Sequence, residues 1–135
     1  MTTSPQLIQL FKTNLRPELH VFEDRFHYID GIWYKYDMAF EFKAKKDFYQ
    51  EVILEKHKYE SMLQHKRKRY INLMTFESGR EVVFSWNLNL FPNPNWVWMF
   101  IPNASNELYT KWEWTEVMLL HIRDGKNITD LIFKK

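Results

Sequence analysis

The sequence predicts an α+β fold: a central, mostly antiparallel sheet flanked by helices, with elements in the order α-β-β-β-α-β-β-β-α. Three observations predict it. Ser4-Pro5 ahead of Leu7, Ile8, Leu10 and Phe11 has the form of a capped, one-sided helix. Aromatic and alternating stretches follow, with Phe40 and Phe42 on one face of a strand and Glu41 and Lys43 on the other. The segment from Glu55 to Lys68 has no Gly or Pro and is rich in good helix formers.

In chain order, the first helix runs from Pro5 to about Asn14 and ends at Arg16-Pro17. Strands are expected over Phe26–Tyr34, Tyr36–Lys43 and Phe48–Leu54. The second helix then places Tyr59, Met62 and Leu63 at helical spacing. Strands Tyr70–Phe76 and Glu81–Leu88 are joined by Glu77-Ser78-Gly79-Arg80, which reads as a hairpin turn. Pro92 and Pro94 mark a loop, and Trp96–Ile101 is a further strand. A last helix is expected over Trp114–Arg123, stopped by Asp124-Gly125.

The 135 residues fit one domain, 1–135, and 45% hydrophobic content is enough for a core without staples. Three glycines argue against a Gly-rich phosphate loop. With no cysteine, disulfides, thiol catalysis and Cys-ligated zinc are excluded, and a cytoplasmic location is expected. No apolar run approaches the roughly 18 residues of a membrane span, so no membrane partner is expected. Net charge is +2, but residues 43–69 hold nine Lys/Arg against four Asp/Glu. That local excess suits an acidic partner such as nucleic acid.

One spacing carries chemistry: Asp30, ten residues, then Glu41-Phe42-Lys43. A pleat of period two puts Glu41 and Lys43 on the same strand face, about 7 Å apart. An Asp at the end of a neighbouring antiparallel strand can sit beside them. Two hard carboxylates suit Mg²⁺ (or Mn²⁺), which keeps several waters, and a nearby lysine can hold an attacking water. Asp-Gly is also a hairpin signal, and Glu41 and Lys43 could equally be the solvent face of an amphipathic strand. A second register would use Asp37 with Glu51, but it places Ile53 where the lysine belongs.

The stretches Ile29-Asp30-Gly31-Ile32-Trp33-Tyr34 and Phe40-Glu41-Phe42-Lys43-Ala44-Lys45 resemble the PD-(D/E)XK nuclease superfamily, in particular its Holliday-junction-resolvase-like and small phage-type members. The resemblance covers residues 19–88, with Ile29 standing where the motif has proline. It implies a metal-dependent nuclease acting on DNA, with Asp30 and Glu41 as metal ligands and Lys43 as the catalytic lysine. Glu51 would be a further acidic neighbour, and Lys58 or His57 would reach the site from the following helix. It also implies a homodimer. The alternative is a non-catalytic accessory factor, phage or mobile-element encoded, that binds nucleic acid or a protein partner on a similar scaffold.

His65-Lys66-Arg67-Lys68-Arg69 reads as a basic helix end. With Lys45, Lys46 and Lys58 it would make one phosphate-contacting patch, or else it serves the helix C-terminus and solubility. The pairs Trp96-x-Trp98 and Trp112-x-Trp114 each lie on one strand face, as a core, an interface or a base-stacking platform would require. A third reading is an aromatic ligand pocket built from Trp33, Trp86, Trp96 and Trp98.

Overall fold

A computed structural model describes residues 2–22, 29–45, 50–65, 68–103 and 111–133. Its first element is the expected helix, α1 (Ser4–Asn14). The cap is Thr3 rather than Ser4. The Thr3 hydroxyl accepts from the Gln6 N–H at 3.3 Å, and the Gln6 side chain accepts from the Thr3 N–H at 2.9 Å. This reciprocal pairing satisfies two backbone donors that a helix start leaves open.

The strands form two sheets, not one. The larger contains β1 (His20–Val21), β2 (Gly31–Trp33), β3 (Met38–Ala44), β5 (Lys68–Glu77), β6 (Arg80–Asn87) and β9 (Lys126–Asn127), in the order β1-β2-β3-β5-β6-β9. Its pairs are antiparallel except β3 with β5. The smaller sheet has the order β4-β8-β7 and is antiparallel, with β4 spanning Glu51–Glu55, β7 Val97–Asn103 and β8 Lys111–His121. The chain leaves β3, gives β4 to the smaller sheet, forms helix α2 (Lys56–His65), and returns as β5 alongside β3. A parallel pair needs such a long crossover.

Two cores follow from the pleat of β3. Phe40 and Phe42 point to one face, where they meet Phe11 of α1 at ring-centroid distances of 5.1 and 5.0 Å. Ile132 of the short helix α3 (Thr129–Ile132) belongs to this cluster. Ala39 points to the other face, with Ile71 and Leu73 of β5, Tyr59 and Met62 of α2, and Met118 and Leu120 of β8. The six-stranded sheet thus lies between α1 and α3 on one side and α2 with the smaller sheet on the other.

The α+β class stands, but the expected element order does not. The segment expected as a C-terminal helix, Trp114–Arg123, is instead most of β8, followed by a 3₁₀ turn, Ile122–Asp124. An apolar run such as Val117-Met118-Leu119-Leu120 has no period that separates helix from strand, and pairing with β4 decides it. The second helix is shorter than expected, because Lys68 and Arg69 already belong to β5, and Leu63 is exposed. The hairpin turn forms as expected. Ser78 and Gly79 both adopt positive φ, 51° and 77°, which matches the right-handed twist of the strands. Of the strand expected over Phe26–Tyr34, residues 26–28 lie outside the described residues, as do Phe48 and Tyr49 of Phe48–Leu54. Among the described residues, no helix is long and apolar enough to cross a membrane.

Candidate active site

Asp30 sits immediately before β2. The register Gly31 opposite Phe40 puts Asp30 opposite Glu41, and the Asp30 N–H donates to the Phe40 carbonyl at 2.9 Å. Asp30-Gly31 is therefore part of a ladder, not a hairpin turn. The Asp30 carboxylate accepts from the Phe42 N–H at 2.7 Å, which fixes one oxygen beside β3.

Glu41 shares the sheet face of Ala39 and is only 7% exposed. The solvent-face reading of Glu41 is thus overturned. Its Oε1 lies 3.9 Å from Lys58 Nζ, a loose ion pair. Its Oε2 is buried and has no hydrogen-bond partner among the described residues. A buried carboxylate oxygen left open costs free energy, so it marks a place where a cation or donor would be welcome. Lys43, two residues along the same face, donates from Nζ to the Ile53 carbonyl of β4 at 2.7 Å, bridging the two sheets.

The electrostatics tie these groups into one cluster. Burial pushes the Glu41 carboxyl above its ordinary range; Lys43 and Lys58 pull it down, while Asp30 and Glu55 push it further up. Burial likewise raises Asp30, against the Phe42 N–H, Lys58 and Lys43. Burial lowers Lys43, opposed by Glu41 and assisted by Lys58 and Lys45. Asp30, Glu41 and Lys43 thus meet on one face, as the spacing implied.

Their neighbours differ from expectation. Lys58 is the residue that arrives from α2, whereas His57 turns to Glu55, with Nε2 3.3 Å from Oε2. Glu55 takes the place expected for Glu51: it stands 3.8 Å from Lys58 Nζ and its charge reaches Glu41. Glu51 is exposed at the other end of β4, opposite His121. The signal for Glu55 in the sequence was its i,i+3 spacing from Lys58. The register through Asp37 and Glu51 is not assembled. Asp37 precedes β3 in the larger sheet, and Glu51 opens β4 in the smaller one.

Among the described residues, Lys45 and the pair Lys68 and Arg69 do not share one patch. Lys45 follows β3, with its N–H donating to the Met74 carbonyl, while Lys68 and Arg69 pair with Met38 and Ala39 at the opposite end. Seven residues of strand separate the two ends, about 20 Å. Lys68 also shares the pleat face of Tyr70, away from Glu41. Lys46, Lys66 and Arg67 lie outside the described residues. The proposed aromatic pocket is dispersed as well. Trp86 is a core residue, Trp33 packs on Tyr36 and under Arg16, and Trp96 meets Tyr59.

A cavity of about 460 Å³ lies between the start of α2 and the β7–β8 pair. Glu55, His57, Trp98, Trp114 and Glu116 are among its lining residues. Asp30, Glu41, Lys43 and Lys58 do not line it, so the cavity and the cluster are distinct features that meet only at Glu55. Among the described residues no three of His, Asp and Glu gather as a metal-ligand set. Two carboxylates, one with a buried open oxygen, fit a cation such as Mg²⁺, which takes one or two carboxylates and keeps water elsewhere. Comparison with family models, curated proteins and solved structures finds no match to this chain.

Proposed function

We propose that this protein is a cytoplasmic, metal-dependent nuclease that hydrolyses phosphodiester bonds in DNA, of the PD-(D/E)XK type. The observation that carries the reading is the meeting of Asp30, Glu41, Lys43 and Lys58 on one sheet face, with a Glu41 oxygen buried and open. Structural carboxylates are usually given partners, so an open one beside two lysines is better suited to binding than to folding.

Asp30 and Glu41 would hold Mg²⁺ or Mn²⁺. The cation supplies Lewis-acid polarisation of a phosphoryl oxygen and makes water a better nucleophile at neutral pH. The Phe42 N–H holds one Asp30 oxygen and so fixes the carboxylate beside Glu41, where the two would share a cation. Lys43 has three donors, of which Ile53 takes one, leaving the others to position a water against the phosphorus. Water adds to phosphorus, one P–O ester bond breaks, and a phosphate monoester and a hydroxyl result. Lys58 offsets the charge of Glu41. Lys45 is exposed, and its charge reaches Lys43, so it is placed to meet a backbone phosphate.

The test uses the purified protein and its Lys43→Ala variant with branched, duplex and single-stranded DNA in Mg²⁺. The wild type cleaves and EDTA stops it, and Lys43→Ala loses about 10²-fold or more in rate. Equal, EDTA-insensitive traces of cleavage in both proteins would sink the reading. One observation favours the alternative of a non-catalytic nucleic-acid- or protein-binding factor: Lys43 is tied to Ile53 and Glu41 already has Lys58. That reading expects Asp30→Ala to leave binding unchanged.

A further inference from the structure

The even-numbered side chains of β8 start as surface and end as core. Met118 and Leu120 are 5% and 1% exposed and belong to the cluster under α2, whereas Trp112 and Trp114, on the same pleat face, are 55% and 68% exposed. The paired face of β7 continues the pattern, with Trp98 and Phe100 at 63% and 51%. Phe100 stands 5.7 Å from Trp112 and 5.5 Å from Trp114, so the rings form one surface. The β7–β8 hairpin thus carries a core-like face beyond the point where the rest of the fold covers it.

We infer that this face is the interface between two copies of the chain, packed sheet face to sheet face. The area supports a second copy. At roughly 200 Å² per ring, these exposures leave about 500 Å² of aromatic surface on each copy. Self-association would bury about 1,000 Å² from the rings alone, the lower bound for a specific interface. Charge supports it too. β7 and β8 give this face Trp98, Phe100, Pro102, Trp112 and Trp114, and the one charged side chain they add, Glu116, is paired with Lys56. Aromatic enrichment with charge depletion is the composition of an interface centre. Nucleic acid would need cations here, but Lys111 and Lys56 are already paired with Glu113 and Glu116. Growth of the sheet along β7, the outer strand of the smaller sheet among the described residues, is disfavoured by Pro102, which lacks an N–H. A two-fold, face-to-face arrangement uses the same patch on both copies and closes on itself.

This inference does not rest on the nuclease reading, and its test involves no cleavage. Mass in solution is measured by light scattering on a sizing column for the wild type, Trp98→Lys, Trp114→Lys and Leu131→Lys. The last changes an exposed apolar residue on α3 and serves as the control. The wild type and Leu131→Lys run at twice the chain mass, and both tryptophan variants run at the chain mass while keeping the far-UV spectrum and melting transition of a folded protein. A wild type that stays at the chain mass at the highest soluble concentration overturns the inference. So does a dimer that survives both tryptophan changes. A monomer whose tryptophan emission is quenched by single-stranded oligonucleotide would assign the face to bases instead.

Discussion

Glu41 is the residue on which folding and binding pull apart. Its raised pKa means that the folded chain holds a proton that the unfolded chain releases near the ordinary value of 4.5. Between that value and the raised one, the folded state binds more protons, so stability falls as pH rises, and the deficit persists at neutral pH. Asp30 acts in the same direction. Lys43 is the mirror case. The unfolded chain protonates near 10.5 and the folded chain only at lower pH, so its deficit is relieved as pH rises toward 10.5. Glu41→Gln keeps the shape and removes the buried charge. In metal-free buffer at neutral pH it should therefore gain roughly 0.5–2 kcal/mol, with a flatter stability profile above pH 4.5. Chemical denaturation across pH measures this. A less stable variant would mean that attraction to Lys43 and Lys58 outweighs the burial.

At the scale of elements, legibility followed locality. The Ser78-Gly79 turn was readable because positive φ at two adjacent residues is a local demand. The first helix was readable from Pro5 and the one-sided spacing of Leu7, Ile8, Leu10 and Phe11, although its cap is Thr3 and not Ser4. The strand β8 was not, since Val117-Met118-Leu119-Leu120 is apolar throughout and only β4 opposite it selects the extended form. The residue read as a helix stop, Gly125, has another use. A Cβ there would lie 2.8 Å from Trp86 Cε2, and that ring is buried with its Nε1–H donating to the His121 carbonyl at 2.8 Å. Gly125→Ala should push the indole off the 3₁₀ turn and cost about 1–3 kcal/mol. Urea unfolding gives the value, and unchanged stability would show that the ring yields freely.

At the scale of the whole molecule, the candidate site lies where the two sheets face each other. Lys43 reaches from β3 to β4, and α2 brings Lys58 and closes with Glu55. A cation bound by the folded chain alone must stabilise it, by about 2.7 kcal/mol at a hundredfold excess over Kd. Mg²⁺ or Mn²⁺ should therefore raise the melting temperature of the wild type but not of Asp30→Ala, with EDTA reversing the shift. An equal shift in both proteins would place the cation elsewhere. The sequence by itself determined that Glu41 and Lys43 share a face and that Phe40 and Phe42 share the other, because the pleat is a property of one strand. Only the tertiary structure decided that the Glu41 face is buried, that Glu55 and not Glu51 stands beside it, that Lys45 lies at one end of a strand pair and Lys68 and Arg69 at the other, and that four aromatic rings are left uncovered. Burial and cross-sheet distance depend on what packs against a strand, and a single strand's pattern does not contain its neighbours.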